Sequence, residues 1–293
     1  MANKRSAGEI TFVCMNALIL TGLCFVTLYP FVYVAFASFS DPASLAQHRG
    51  LLFAPLDINF EAYKAVFNNP MITTGYRNTL IYVVAGTAIN LVATAIGAYV
   101  LSRRNLYFKN VLMMLIVITM FFGGGLIPTY LLINNLGMLN TIWAMLIPGM
   151  IGTFNMIIMR TAFQSVPISL EESAKIDGAN DLIILFRIII PLSMPVIIAV
   201  MILWYAVGHW NSYFGALIYL RDRELFPLQL VLREILITNT TDSMMTEASG
   251  DRMAIADTIK YATIIVSTLP ILLLYPFLQK YFVKGVLIGA IKE

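Results

Sequence analysis

Five stretches of this chain carry no formal charge, and their lengths decide what it can fold into. They run for 31 residues between Glu9 and Asp41, 25 between Arg77 and Arg103, 50 between Lys109 and Arg160, 33 between Arg187 and Arg221, and 19 between Lys260 and Lys280. A helix needs about 20 apolar residues to cross a hydrocarbon core ~30 Å thick. As one rod the longest run would reach about 75 Å at 1.5 Å per residue. It is therefore two crossings, turned at the polar stretch Asn134-Asn135-Leu136-Gly137. The expected fold is an all-α polytopic membrane protein, a single domain over residues 1–293 with six transmembrane helices near 11–38, 78–102, 110–133, 139–162, 192–219 and 259–279.

Composition agrees. Only 12% of the residues are charged and 59% are hydrophobic, against roughly 25% charged in an average soluble domain. That excludes disorder and a secreted disulfide scaffold. A net charge of +3 with no basic run longer than two residues excludes nucleic acid as a partner and leaves membrane lipid as the surroundings. Cys14 and Cys24 sit ten residues apart in one apolar run, about 15 Å along a helix, beyond disulfide reach; they are expected as buried thiols. The first run is twice the length of a signal-peptide core, so it is expected to be retained as a span.

Six spans place both ends on one side of the membrane. The short loop 103–109 has three basic residues in seven, and the opposite short loop 134–138 has none, so both termini are expected in the cytoplasm. This leaves outer loops at 39–77 and 220–258 and a charged inner loop at 163–191. Residues 60–67 of the first outer loop form an amphipathic stretch, expected as a short helix along the membrane face. Outer loops of this size suit either a docking partner or plain solvated connection.

The chain lacks the usual machinery of catalysis. There is no Gly-Lys-Ser/Thr phosphate loop, and His48 and His209 are the only histidines, so neither a metal site nor a catalytic set is expected. The spans hold no carboxylate of the kind that ion-coupled carriers use. A self-sufficient secondary sugar carrier is the alternative reading that this counts against; energy for uphill transport must come from another chain.

The inner loop carries a local helix. Ser169 followed by Glu172 has capping-box spacing, Glu171 and Lys175 form an i,i+4 pair, Gly178 supplies a C-terminal glycine, and Asn180 or Asp181 can cap the next helix. The small residues Ser173 and Ala174 would let another surface approach. By itself this reads as a well-capped connector.

Glu172-Ser173-Ala174, then Gly178, Ile188 and Ile190-Pro191, has the spacing of the "EAA" loop of binding-protein-dependent ABC importer permeases. Ser173 replaces the first Ala of that pattern and Ile190 its Leu. Gly123 to Tyr130 and Asn140 to Trp143 are similar to the MalG-like and LplC-like carbohydrate branch, and Gly208-His209-Trp210-Asn211 with Gln279 to Gly285 resembles its polysaccharide subset. The resemblance covers nearly the whole chain. It implies the type I importer permease fold in a bacterial inner membrane, with the 169–178 helix seated in a groove of an ATP-hydrolysing subunit. Glu171, Glu172, Ser173, Ala174, Asp177 and Gly178 are the implied coupling residues. The implied partners are a homologous second permease, two ATP-binding subunits and an extracytoplasmic solute-binding protein. ATP and Mg belong to the ATPase partners, and no cofactor is expected on this chain. Alginate or a related acidic polymer is the expected cargo.

The fifth span gathers Trp204, Tyr205, His209, Trp210, Asn211 and Tyr213. Aromatic faces stack on sugar rings and Asn and His bond hydroxyls, so Tyr205, His209, Trp210, Asn211 and Tyr213 are candidates for the substrate path; Trp and Tyr also mark the membrane interface.

Overall fold

The computed structural model describes the backbone of residues 7–197, 203–237 and 252–290. Among these residues the secondary structure is helical, with one isolated bridge between Ser40 and Ile58. The chain divides into two compact units, residues 1–69 with 234–268, and residues 70–233 with 269–293.

The first unit opens with α1 (Ala7–Ser38). Its large apolar residues from Ile10 to Phe31 are exposed around the helix, the condition of a helix solvated by hydrocarbon. Cys14 and Cys24 lie on this exposed surface; they are not the buried thiols expected, because no other described part of the chain packs over the middle of α1. Past Ser38 the chain folds back on the end of α1. Asp41 caps α2 (Pro42–Gln47) by accepting from the amides of Ala43 and Ser44. The amphipathic stretch forms α3 (Glu61–Asn68), where Phe39 stacks on Tyr63 at 4.9 Å and the hydroxyls of Ser38 and Tyr63 meet at 2.8 Å.

The second unit is organised by α4 (Pro70–Ser102), which starts eight residues before the expected 78 because Pro70 opens the helix at a position where proline is favoured. The expected span 110–133 is α5 (Lys109–Phe121) and α6 (Leu126–Asn135), turned through 111° at the Gly123-Gly124-Gly125 break. The stretch 139–162 is likewise divided, into α7 (Trp143–Leu146) and α8 (Thr153–Gln164), with Pro148 and the left-handed Gly149 between them. Then come α9 (Ile168–Ile176) and α10 (Asp181–Ile184), which passes through a wider turn at Leu185–Ile189 into α11 (Ile190–Leu192) and α12 (Met194–Val196). Next are α13 (Leu203–Trp210) and α14 (Phe214–Tyr219), so the stretch 192–219 is a series of short pieces and not the continuous helix expected. Helix α15 (Leu228–Ile237) lies in the stretch expected as the outer loop 220–258, and α16 (Arg252–Ala290) extends the expected 259–279 at both ends; of these two helices, residues 228–233 and 269–290 belong to this unit and the rest to the first. Three described helices are long and apolar enough to cross a membrane, at Gly8–Ser38, Pro70–Ser102 and Ile255–Pro276, or four if the bent pair is one crossing.

A ridge of small and polar residues runs along α4 at every fourth position: Asn78, Tyr82, Gly86, Asn90, Thr94, Ala98 and Ser102, all buried. Such ridges let neighbouring backbones approach closely in lipid and supply hydrogen bonds there. At the N-terminal end of α4 Asn78 Nδ2 donates to the carbonyls of Glu224 (2.6 Å) and Phe226 (3.0 Å), Tyr82 Oη donates to that of Leu225 (2.7 Å), and Thr79 Oγ1 accepts from the Leu228 amide (2.8 Å). A Cβ at Gly75 would lie 3.1 Å from Leu228 Cα, so a bare backbone is what lets α15 start there. At the C-terminal end of α4 Ala95, Ala98, Tyr99 and Leu101 form a core with Met156, Met159 and Phe163 of α8, Ala174 of α9, and Ile184, Leu185 and Ile189.

Removing one donor leaves two buried carbonyls without their partner. Asn78→Ala is therefore expected to destabilise the solubilised protein by about 1–3 kcal/mol, seen as a lower thermal unfolding midpoint. Val84→Ala, on the exposed side of the same helix, is expected to leave the midpoint unchanged.

Candidate functional site

Two places in the second unit bring chemistry-bearing side chains together. The first is the C-terminal end of α4 with α9. Helix α9 begins at Ile168 behind Pro167, and no side chain caps its start. The capping box read from Ser169 and Glu172 is thus absent: the helix starts two residues earlier, with Pro167 as its N-cap, and Ser169 lies inside the first turn. The C-terminus follows the sequence reading. Gly178 has φ +82°, its amide donates to the Lys175 carbonyl (3.0 Å) and that of Ala179 to the Ala174 carbonyl (2.9 Å). These are the two bonds of a Schellman cap. Asn180 Oδ1 then accepts from the Ile183 amide at 2.9 Å and starts α10.

The expected Glu171–Lys175 pair does not form. Glu171 is buried and its carboxylate pairs with the guanidinium of Arg103, while Lys175 faces Asp181 at 3.7 Å. A lasting tertiary partner outcompetes an exposed i,i+4 pair worth only ~0.2–0.5 kcal/mol. Helix α9 therefore has two faces. Glu171 and Ala174 point inward and anchor it, so Ala174 is not the open small-residue surface expected. Glu172, Ser173, Ile176 and Asp177 are exposed.

Arg103 is held from several sides. Its guanidinium lies 4.3 Å from the centre of the Tyr99 ring and bonds Ser102 Oγ at 2.8 Å. Burial pushes its pKa below the ordinary arginine value, partly offset by Tyr99 and Asp181, and the group stays charged. Around it Lys109 Nζ donates to the Arg103 carbonyl (2.9 Å) and Arg160 Nε to that of Leu101 (3.0 Å). Three cations thus gather at the C-terminus of α4, where unpaired carbonyls and the helix dipole favour positive charge. An open cleft of about 1210 Å³ lies between this end of α4 and α9, lined by Arg103, Arg104, Lys109, Glu171, Glu172 and Lys175 among others.

The second place is a cavity of about 290 Å³ between α4, the α7–α8 break and α13, lined by Asn90, Pro148, Gly149, Trp204, Tyr205, Gly208, His209, Ser212 and Tyr219 among others. His209 enters beside Gly86, where a Cβ would overlap the imidazole ring, and its Nε2 meets Asn90 Oδ1 at 3.3 Å. Tyr205 is buried and structurally committed: its hydroxyl is 2.8 Å from Thr94 Oγ1 and accepts from the Gly152 amide at 3.2 Å. Trp210 is buried edge-on to Tyr76. Asn211 and Tyr213 are exposed and do not line the cavity. Of the five residues expected on a substrate path, the structure brings His209 and Tyr205 to the cavity and leaves Trp210, Asn211 and Tyr213 outside it. Asn90 and Ser212 were missed, as was Arg103 just past the C-terminal end of α4. The four-residue spacing of Asn78, Tyr82, Gly86, Asn90 and Thr94 in an apolar run was the available signal for Asn90.

Comparison with known proteins adds the following. The family described as "Binding-protein-dependent transport system inner membrane component" matches residues 93–288. Protein LplC of Bacillus subtilis is 44% identical over 99% of this chain and 97% of its own length. The polygalacturonan/rhamnogalacturonan transport system permease protein YtcP, also of Bacillus subtilis, is 42% identical over 91% of this chain and 93% of its own. A chain in the crystal structure of a bacterial ABC transporter involved in the import of the acidic polysaccharide alginate superposes with a TM-score of 0.87, at 35% identity, covering 96% of this chain and 100% of that one.

A side chain at Gly178 would have to adopt the left-handed conformation, at about 1–2 kcal/mol. Gly178→Ala is expected to loosen the end of α9, with the amides of Gly178 and Ala179 exchanging with deuterium at least several-fold faster while those of α8 keep their rates.

Proposed function

Because the chain belongs to the family of binding-protein-dependent transport system inner membrane components, we propose that it forms half of the membrane path of an ATP-driven importer for oligo- or polysaccharides. It is a multi-pass inner-membrane transport component. In the proposed assembly it pairs with a homologous second permease and two ATP-binding subunits, and receives cargo from an extracytoplasmic binding protein. ATP and Mg sit on the ATP-binding partners. Six crossings with both termini in the cytoplasm are supported by the uncharged runs and by the cations gathered at the inner end of α4.

The observation that carries this reading is the two-faced α9. Its inward face is tied to the core by Ala174 and to α4 by the Glu171–Arg103 pair, and its outward face presents Glu172, Ser173, Ile176 and Asp177. A short helix capped and anchored in this way moves as one body with the spans behind it. The outward residues are the ones that meet the ATPase groove; Glu171 and Ala174 act as positioning residues, and Gly178 closes the helix. An acidic polymer as cargo is supported by the similarity to the alginate importer chain and to the polygalacturonan/rhamnogalacturonan permease. The secondary-carrier alternative finds no carboxylate among the residues lining the cavity.

The test is ATP hydrolysis by the reconstituted complex. Binding protein loaded with an oligosaccharide is expected to stimulate the wild type, and Glu172→Lys to lose at least tenfold of that stimulation with the complex still assembled. Uptake by proteoliposomes holding this chain and no ATPase would contradict the reading.

A further inference from the structure

The cations gathered at the C-terminal end of α4 outnumber the carboxylates that reach them. Arg103 is paired with Glu171, whereas Arg104, Lys109 and Arg160 have no carboxylate partner among the described residues. The charged neighbours that bear on Lys109 are Arg160, Arg103 and Arg104, all of its own sign. The remaining carboxylates on the cleft belong to α9 and α10, where Asp181 faces Lys175 and Glu172 is exposed.

Between two of these cations lies a neutral oxygen. In the amide orientation that satisfies both neighbours, Gln164 Oε1 accepts from Lys109 Nζ at 3.3 Å and from Arg160 Nη2 at 3.2 Å. One oxygen at that point is within reach of two positive donors. Gln164 is an exposed side chain at the end of α8, able to swing away. A phosphate oxygen in its place would add a negative charge to both bonds, the means by which lysine and arginine hold phosphate.

The surroundings are apolar and exposed. Residues 103–108 join α4, long and apolar enough to cross a membrane, to α5, the first arm of the bent pair. Tyr107 and Phe108 are 86% and 79% exposed, and α5 beyond them exposes Leu112, Met114, Leu115 and Ile118. Aromatic rings favour the boundary between hydrocarbon and water. A ligand that meets both features is anionic at one end and hydrocarbon along the rest. Inorganic phosphate or an acidic protein segment would use the cations and leave the apolar face uncovered.

We propose that Arg104, Lys109 and Arg160 form a site for the phosphate headgroup of an anionic phospholipid whose acyl chains lie along the exposed side of α5. Basic pockets between membrane helices are suited to such headgroups. A phosphate oxygen takes the position of the Gln164 oxygen between Lys109 and Arg160. The site needs the membrane setting and does not depend on the importer reading.

The purified full-length chain in detergent is titrated with phosphatidylglycerol and, separately, with zwitterionic phosphatidylcholine of the same acyl chains, and bound lipid is counted by native mass spectrometry. The wild type is expected to bind phosphatidylglycerol at least tenfold more tightly. Gln164→Glu puts a carboxylate into the site; it is expected to lower that affinity at least tenfold while the thermal unfolding midpoint holds or rises. Lys109→Gln is expected to lower it several-fold, and Gln164→Ala, which clears the oxygen position, to leave it unchanged or tighter. Equal affinity for the two lipids, or undiminished phosphatidylglycerol binding by a folded Gln164→Glu, overturns the proposal. Displacement of the lipid by inorganic phosphate would make this a site for the free anion and also overturn it. A preference present in the isolated chain and lost once ATP-binding subunits are added would assign the cations to a protein partner, with the same consequence.

Discussion

The buried ridge along α4 is the feature on which the second unit depends. Hydrocarbon offers a peptide group no hydrogen-bond partner, so every break in a helix at membrane depth has to be closed by other parts of the protein. Helix α4 supplies much of that closure. The residues of its first turns hold the carbonyls of Glu224 to Phe226, Thr94 fixes the Tyr205 hydroxyl that in turn receives the Gly152 amide, and its last carbonyls take Lys109 and Arg160. A row at four-residue spacing does not run parallel to the helix axis but winds slowly around it. One helix therefore meets the 224–228 segment, then α13, then α8 and α9.

This arrangement links the two functional places by a single continuous element. Asn90 and the Arg103 end belong to the same 33-residue helix, and the Glu171–Arg103 pair joins that helix to α9. In the proposed importer, a displacement of α9 is passed through this pair to α4, in addition to the chain segments on either side of α9. The pair is suited to this because it is largely shielded, with side-chain exposures of 21% and 10%. Water competes less for such a pair than for one on the surface, where typical contributions are only ~0–1 kcal/mol.

What could be read from sequence was what local rules govern. The uncharged runs gave the helical membrane class, the three consecutive glycines at 123–125 fall at a break, Gly178 closes α9, and Asn180 caps the next helix. The family resemblance is matched by the comparisons over most of the chain. The failures share a cause: each residue had a plausible local role that a distant partner overrode. Glu171 was four residues from a lysine but pairs with Arg103, 68 positions earlier in the chain. Trp210 is the kind of residue sugars stack on, yet it is buried against Tyr76. Charge counting found three cations in the short inner loop and could not see that Lys109 caps the carbonyls of α4. Asn90 and Ser212 are single polar residues in apolar runs, and only the packing of α4 against α13 makes them part of one cavity.

The central claim, that the Glu171–Arg103 pair carries motion from the coupling helix into α4, is tested most directly by exchanging its charges. Sugar taken up per ATP hydrolysed would be measured in the reconstituted importer for Arg103→Glu, for Glu171→Arg, and for the two together. The expected result is a loss of at least tenfold in each single variant, with like charges facing each other, and recovery of a substantial part of the wild-type ratio in the double. Single variants that transport as efficiently as the wild type, or a double variant no better than the worse single one, would contradict it.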